Sequence, residues 1–176
     1  SLPRQEAFNI EYWLLEEAKL QRMPKPKPLS GRVALVTGSA GGIGKAIAKK
    51  FAEEGACVIL NDMNAERLDN ACNDFVKDFG KDVCESATLD VTNQQHIDQA
   101  MKIAALNFGG VDLIVNNAGL SISKTIEDHT EKDWDLLYNV LVKGQFMITQ
   151  AATKVMKKQN IGGDVINIVS KNALVS

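Results

Sequence analysis

Two features that would assign the protein to a membrane or to nucleic acid are missing from the sequence. No apolar run approaches the ~20 residues that a helix needs to span a bilayer, and no charged segment followed by an apolar one opens the chain as a secretory signal would. Lysine and arginine number 20 against 22 aspartates and glutamates, a net charge of −2. The composition therefore predicts neither a membrane nor a nucleic-acid partner, and the cytoplasm is the expected location.

Cysteine and histidine are too few for a disulfide framework or a metal site. Cys57, Cys72 and Cys84 are an odd count without a C-x-x-C pair, so we expect three reduced thiols. His96 and His129 have no clustered ligand residues, so surface or capping roles are expected of them. With 45% hydrophobic residues, the 176-residue chain can form one globular domain without a covalent staple.

Residues 1–30 are predicted to form a helix and a linker that precede this domain. Residues 5–22 have a helical apolar period that places on one face Ile10, Trp13, Leu14 and Ala18. The stretch "MPKPKPLSG" has three prolines at alternate positions, which predicts an extended linker. The helix could dock on its own domain, on an upstream domain or on a partner. Because the first residue is serine, we expect a processed chain or part of a longer one.

Residues 31–176 alternate between short apolar runs and helical apolar periods. The runs are "RVALVTG", "ACVILND", "VCESATLD", "VDLIVNNAG" and "GGDVINIVS". The fourth and longest helix is predicted to reach about residue 158 and to bury an apolar stripe made of Trp134, Leu137, Tyr138, Leu141 and Val142. This order predicts an α/β fold, a Rossmann-like doubly wound parallel sheet with helices on both faces.

The first turn between a strand and a helix, "TGSAGGIGKAIA", is rich in glycine. Gly38, Gly42 and Gly44 lie at the strand end and open the helix. Such a turn is tight, and its backbone can approach a pyrophosphate without Cβ atoms in the way. The helix start offers free N–H groups and the positive end of the helix dipole. The spacing is G-x-x-x-G-x-G rather than G-x-G-x-x-G, but the order of strand, glycines and helix predicts phosphate binding.

Asp62 ends the second strand, 18 residues after Gly44. A carboxylate there can accept hydrogen bonds from both ribose hydroxyls of NAD and repels the 2′-phosphate of NADP. The glycine stretch contains no arginine, and the nearest basic residue is Lys45. NAD is therefore the predicted cofactor. Asp62 could instead cap the next helix, a role also open to Asn61 or Asn64.

The stretches "TGSAGGIG", "LDVT", "NNAG" and "INIVS" together resemble the classical short-chain dehydrogenases/reductases, in order and at similar spacing across residues 31–176. The resemblance implies that Asp90 holds the adenine amino edge beside Val91. It also implies that the "NNAG" stretch stabilises the central sheet and lines the cofactor. The implied cofactor-binding residues are Gly38, Ser39, Gly42, Ile43, Gly44, Asp62, Asp90, Val91, Asn117, Ala118 and Gly119.

The same resemblance implies two catalytic residues. Asn139 would hold a proton-relay water, and Ser170 would hydrogen-bond the substrate oxygen at the carboxyl end of the fifth strand, where ligands bind in open α/β sheets. The family's general base is a tyrosine about a dozen residues later, in Tyr-x-x-x-Lys, and its phenol needs the lysine to act near neutral pH. Tyr12 and Tyr138 do not fit that motif, so the base is expected beyond Ser176.

The 176 residues are thus expected to hold strands one to five, the N-terminal part of a dehydrogenase domain, and to be inactive alone. The full-length protein is expected to be a homo-oligomeric, NAD(H)-dependent oxidoreductase of small alcohols, aldehydes or ketones. The alternative is a nucleotide-binding or assembly module without catalysis. Since the missing strands would leave a sheet edge exposed, we expect weak stability or association through that edge.

The lead-in "EAFNIEYWLLEEAKLQRMPKPKPLSGRVALVTG" resembles the inter-domain segment of bifunctional proteins that join an N-terminal rhamnulose-1-phosphate aldolase domain to a C-terminal short-chain dehydrogenase. That resemblance implies an upstream aldolase domain as partner and the oxidation of lactaldehyde to lactate in rhamnose catabolism. A reductase of the sugar-alcohol or 3-oxoacyl type stays open as well, because nothing in residues 31–176 specifies the substrate.

Overall fold

The computed structural model describes residues 3–23 and 25–170, so the last six residues of the predicted domain lie outside the described part. The strands are β1 (Val33–Thr37), β2 (Cys57–Asp62), β3 (Cys84–Thr88), β4 (Leu113–Asn116) and β5 (Asp164–Asn167). The helices are α1 (Arg4–Arg22), α2 (Gly42–Glu53), α3 (Ala65–Phe79), α4 (Gln94–Phe108), α5 (Glu131–Tyr138) and α6 (Gln145–Gln159). A π-helical segment, Asn139–Gly144, joins α5 to α6 without a break.

The five strands form one parallel sheet in the order β3-β2-β1-β4-β5. This confirms the predicted doubly wound sheet, and all five predicted runs contain a strand. Successive strands proceed outward from β1 in one direction and then, from β4 on, in the other. The chain therefore leaves the carboxyl ends of β1 and β4 in opposite directions, which opens a crevice between them.

Each face of the sheet is covered by its own apolar layer. One layer joins Leu35, Ile59 and Ile114 of the strands to residues of α4 and α6 such as Ile97 and Ile148. The other joins alternate strand residues to α2 and α3, with Val36, Val58, Leu60, Ala48, Leu68 and Phe75 among its members. Because β1 is buried at every residue, it has the continuous apolar sequence of a strand covered on both faces.

Asp112 fastens the amino-terminal edge of the sheet. Its carboxylate is buried and its Oδ2 accepts a hydrogen bond from the Val33 N–H at 2.8 Å. Its backbone N–H donates to the Val33 carbonyl, and its own carbonyl accepts from the Asp164 N–H, both at 2.8 Å. The Arg32 guanidinium lies 3.6 Å from the other carboxylate oxygen. One residue thus connects the starts of β1, β4 and β5.

Replacing Asp112 with alanine should lower the thermal stability of the domain. The substitution leaves the Val33 N–H without its acceptor, which costs about 2 kcal/mol. For a domain of this size that corresponds to a fall in Tm of about 4–8 °C. Calorimetry of the full-length protein would measure it, with Asp69→Ala on the exposed face of α3 as the control. A Tm equal to that of the control would contradict this role of Asp112.

The predicted buried stripe of the fourth helix is wrong. Trp134 is 69% exposed, Tyr138 51% and Val142 52%, so these side chains are not core residues. The buried side chains of this long helix come later, in α6, where Ile148 and Ala152 pack against the sheet. Periodicity detected an apolar face correctly, but within the described chain no element covers that face.

Helix α1 is also uncovered. It begins at Arg4, close to the predicted start, and none of its residues is buried. Phe8 is 60% exposed and Trp13 68%. The linker meets the domain near its end, where the Leu29 N–H donates to the Glu54 carbonyl and the Leu29 side chain packs against the α2–α3 layer. Within the described residues α1 is therefore not docked on its own domain, which was one of the three predicted alternatives.

Strand β5 is an edge strand of the described sheet, and all four of its residues are exposed.

The Sγ atoms of Cys72 and Cys84 lie 3.6 Å apart as free thiols, and burial raises the pKa of the Cys84 thiol. Across the described residues, no helix has both the length and the apolar character needed to cross a membrane.

Candidate functional site

Thr37, the last residue of β1, joins the glycine turn to the loop after β4. Its Oγ1 accepts hydrogen bonds from the backbone N–H groups of Asn117 and Ala118, at 3.0 and 2.9 Å, and donates to the Val115 carbonyl at 3.3 Å. The side-chain amide of Asn117 bonds in the other direction: its Nδ2 donates hydrogen bonds to the carbonyls of Thr37 and Gly38, at 3.0 and 3.1 Å. We call this network the Thr37 junction. It fixes the two sides of the crevice relative to each other.

Gly44 lets helix α2 begin directly against this junction. A Cβ atom on Gly44 would lie 2.4 Å from the Gly38 carbonyl oxygen and 2.5 Å from the Asn117 Nδ2. Gly38 itself has a φ of +65°, a conformation that glycine adopts at little cost. The glycines therefore bring the first turn of α2 to the carboxyl end of β1, where its free N–H groups can meet a phosphate.

The Asp62 carboxylate is held at the glycine turn by two backbone groups. Its Oδ2 accepts from the Ala40 N–H at 3.3 Å and its Oδ1 from the Asn64 N–H at 3.1 Å. Asn64, not Asp62, caps α3, because its side chain accepts from the Arg67 N–H. The capping alternative therefore belongs to Asn64, and the remaining lone pairs of Asp62 are available to a ligand.

The loop after β3 is ordered around Asp90. The Asp90 Oδ1 accepts from the N–H and the hydroxyl of Thr92, at 2.8 and 2.7 Å, and the Asp90 N–H donates to the His96 Nδ1 at 3.2 Å. His96 therefore positions this loop. No group of histidines, cysteines and carboxylates in the described ranges could hold a metal ion.

These elements surround a cavity of about 660 Å³, a volume typical of sites for small organic ligands. Eight of the eleven predicted cofactor residues line it: Gly38, Gly42, Asp62, Asp90, Val91, Asn117, Ala118 and Gly119. The other three do not. Ser39 is buried and exchanges hydrogen bonds with the backbone of Asn61, Gly44 is buried under the turn, and Ile43 is 64% exposed.

A dinucleotide fits the residues that are present. The cavity has a glycine cradle at a helix start, a fixed carboxylate at the end of β2 and a second carboxylate after β3. A side chain at position 44 would overlap the Gly38 carbonyl and the Asn117 amide beneath the cradle and so distort it. The three groups are spread along the carboxyl edge of the sheet in the order in which a phosphate, a ribose and a base would need them.

Asn139 opens the π-helical segment and is half-buried. Such segments insert one extra residue into a helix and occur often at functional sites. The segment lies against the loop after β3, because a Cβ on Gly144, at its end, would be 2.7 Å from the Val91 Cγ2. The next residue, Val140, lines the cavity, whereas Asn139 does not.

Ser170 lies three residues after β5, at the same carboxyl edge. It is exposed and is the last described residue. The neighbouring strand end is fixed by Asn116, which is buried and whose Nδ2 donates to the Asn167 Oδ1 at 2.8 Å and to the Thr149 Oγ1 at 3.1 Å. The structure thus brings Ser170 to the expected edge of the sheet.

The sequence analysis missed Thr37 and Arg67. Arg67 lies in the first turn of α3 and lines the cavity beside Gly41. Lys45, the basic residue closest to the glycines in sequence, instead pairs with Asp74 at 2.8 Å. A strand-end threonine followed by glycine was visible in the sequence, but no local pattern indicates that α3 returns an arginine to the glycine turn.

Comparison with known proteins identifies the same fold and sequence pattern. The profile of the family described as short chain dehydrogenase matches residues 32–176. The chain is similar to the uncharacterized oxidoreductase YuxG of Bacillus subtilis (strain 168), at 40% identity over 174 residues. It is also 41% identical over 142 residues to an uncharacterized oxidoreductase of Staphylococcus aureus (strain N315).

Two solved structures are similar. A short-chain type dehydrogenase/reductase from Mycobacterium marinum superposes with a TM-score of 0.79 at 29% identity, over 84% of this chain and 59% of that one. The apo form of LigO from Sphingobium sp. strain SYK-6 gives a TM-score of 0.77 at 32% identity, over 84% and 54%.

The chain spans only part of each relative. The match covers 99% of this chain but 25% of YuxG, and 81% of this chain but 59% of the staphylococcal protein. The YuxG match therefore includes nearly all of α1 and the linker.

Proposed function

The chain belongs to the short-chain dehydrogenase family, and from that membership we propose that the full-length protein is an NAD(H)-dependent oxidoreductase. It would transfer hydride between nicotinamide and a small alcohol, aldehyde or ketone. One observation carries the proposal: a single cavity joins the glycine turn, Asp62 and Asp90 at the carboxyl edge of a doubly wound sheet. Nicotinamide supplies the hydride acceptor, and the protein supplies binding, orientation and proton transfer.

The fixed carboxylate of Asp62 supports NAD as the cofactor. Two backbone N–H groups hold the carboxylate in place. It would therefore accept hydrogen bonds from the ribose hydroxyls without first losing side-chain freedom. The same negative charge disfavours a phosphate on that ribose. We assign the adenine amino edge, which adjoins that ribose, to Asp90.

We assign the substrate oxygen to Ser170 and a proton-relay water to Asn139. Ser170 lies at the carboxyl edge of β5 and Asn139 lies in the irregular helical segment beside the cavity wall. The general base would be a tyrosine of a Tyr-x-x-x-Lys motif, and residues 1–176 contain no such motif. We therefore expect this stretch alone to bind nucleotide without turning substrate over.

For the substrate we propose lactaldehyde, supplied by an upstream aldolase domain. The support is the lead-in segment, which aligns with YuxG, a protein about four times as long as this chain. An aldehyde has no O–H proton to remove until water adds to it. The hydrate would have a C–H hydrogen that nicotinamide can accept as hydride and a hydroxyl proton for the base to remove; the product would be lactic acid, which loses its carboxyl proton to give lactate.

Replacing Asp62 with alanine should raise the Kd for NADH about tenfold, because it removes charged acceptors for the ribose hydroxyls. Titration calorimetry with the full-length protein would measure the change. Asp69→Ala, which removes an exposed carboxylate on α3, is the matched control and should leave the Kd unchanged. Equal constants for the two variants would contradict the role assigned to Asp62.

Activity is tested separately by following NADH formation with a panel of small aldehydes and secondary alcohols that includes lactaldehyde. Turnover of lactaldehyde supports the whole proposal. Turnover of other panel members but not of lactaldehyde would exclude lactaldehyde as the substrate and leave the oxidoreductase proposal in place. If the protein binds NADH and no member of the panel reacts, the oxidoreductase proposal fails, and the non-catalytic nucleotide-binding module takes its place.

A further inference from the structure

The Arg67 side chain lies on the glycine turn. A Cβ built on Gly41 would come within 2.6 Å of Arg67 Nη2, so the guanidinium covers the Cα atom of this glycine. In this arrangement the guanidinium occupies the space that a Cβ atom at position 41 would take. The guanidinium is exposed, and none of the ion pairs or side-chain hydrogen bonds in the described ranges involves it. A cation is therefore present at the turn without an anion to neutralise it.

Arg67 and Asp62 both line the cavity, and both reach the glycine turn at its end, Asp62 at Ala40 and Arg67 at Gly41. Asn64 fixes the spacing between them, because its N–H donates to Asp62 Oδ1 at 3.1 Å and its own Oδ1 accepts from the Arg67 N–H at 2.9 Å. The backbone of Arg67 is thus tied to the carboxylate through one residue. In the proposed function this end of the cavity receives the adenosine ribose. One anion and one cation therefore face the position where NAD and NADP differ.

We propose that Arg67 determines how far the site discriminates between NAD and NADP, by binding the phosphate on the adenosine ribose of NADP. A guanidinium presents a planar set of donors that suits two phosphate oxygens at once. It offsets the repulsion from Asp62, so NADP is a second, weaker cofactor of this protein. The inference rests on the proposed function, since it needs a nucleotide in the cavity.

The test compares the Kd values of NADH and NADPH for the full-length protein and its Arg67→Ala variant by titration calorimetry at low salt. The variant should bind NADPH about tenfold more weakly and NADH within about twofold of wild type. Arg67→Lys retains the charge without the planar guanidinium, so its Kd for NADPH should lie between those of wild type and Arg67→Ala. Added salt should weaken NADPH binding more in the wild type than in Arg67→Ala, because the charge pair is exposed.

Lys77→Ala is the matched control. It also removes one positive charge from α3, but it lies ten residues further along the helix, about 15 Å from Arg67. It should not change the ratio of the two constants.

An unchanged ratio in Arg67→Ala would overturn the inference. An equal loss for both nucleotides would overturn it too, because the guanidinium would then contact a part that they share. If wild type binds NADH and only the Arg67 result fails, the proposed function stands. If wild type binds neither nucleotide, the proposed function fails and this inference fails with it.

Discussion

Replacing Gly44 with alanine is expected to weaken NADH binding by the full-length protein more than a hundredfold. The added methyl group would lie 2.4 Å from a backbone oxygen of Gly38 and 2.5 Å from the amide nitrogen of Asn117. Neither neighbour can withdraw freely. The oxygen belongs to the turn itself, and the amide is held by hydrogen bonds of 3.0 and 3.1 Å to Thr37 and Gly38.

The structure can relieve this overlap in two ways, and both damage the site. Helix α2 can retreat from the turn, which removes its N–H groups from the phosphate. Alternatively, the Asn117 amide can leave, which breaks the Thr37 junction. Overpacking costs about 1–3 kcal/mol, and an unsatisfied amide costs a similar amount. If the nucleotide-bound state has to reverse either distortion, the upper part of either range reaches the roughly 2.8 kcal/mol that a hundredfold loss in affinity requires.

Titration calorimetry and a melting curve on the same sample would test this prediction. Gly80→Ala is the control. Gly80 has a φ of +94° and no atom within 4 Å of its Cβ position, so the substitution strains the backbone far from the cavity. We expect it to lower Tm without changing the Kd. A Gly44→Ala protein that bound NADH as tightly as Gly80→Ala would show that the close approach at Gly44 is dispensable.

Replacing Ser170 with alanine is expected to lower kcat of the full-length protein by about a hundredfold or more, with the Kd for NADH unchanged. If this hydroxyl binds the substrate oxygen as charge develops there, removing it costs roughly what the loss of one oxyanion donor costs in other enzymes. The glycine cradle and both carboxylates that are assigned to the nucleotide lie on β1, β2 and β3 and their loops, so cofactor binding should be independent of position 170.

Ser170→Thr should recover part of the activity, since it restores a hydroxyl. Ser30→Ala, at the end of the linker, removes a hydroxyl far from the carboxyl edge and should be silent. Steady-state kinetics with the substrate identified from the panel would give kcat for all three variants. A fall in affinity for NADH equal to the fall in kcat would assign Ser170 to cofactor binding and contradict its role at the substrate.

The fold was predictable because its signals are local. Each buried strand is a short apolar run, and each change to a helical period follows a turn residue, so the order of strands and helices could be written from the sequence. The exposed stripe at Trp134 and Tyr138 shows the limit of this reasoning. Periodicity reports that a helix has an apolar face, but it does not report whether another element covers that face.

The candidate site was predictable only in part. Glycines at a strand end and a carboxylate at the next strand end are recognisable patterns, and the structure brings Gly38, Gly42 and Asp62 to one cavity. Arg67 was missed because its approach to Gly41 depends on how α3 returns over the glycine turn, 26 residues along the chain. The π-helical segment at Asn139 was missed because the apolar residues of the sequence keep the spacing of an ordinary α-helix through it.

The Thr37 junction has a consequence for modularity. A phosphate-binding turn is commonly regarded as a portable motif that can be moved as one stretch of sequence. Here its shape depends on a threonine hydroxyl from β1 and an asparagine amide supplied 80 residues later. Transfer of "TGSAGGIG" alone into another sheet would carry Thr37 but not the Asn117 groups that complete the Thr37 junction. The smallest portable unit of this protein is therefore discontinuous, and it comprises the turn together with the first residues after β4.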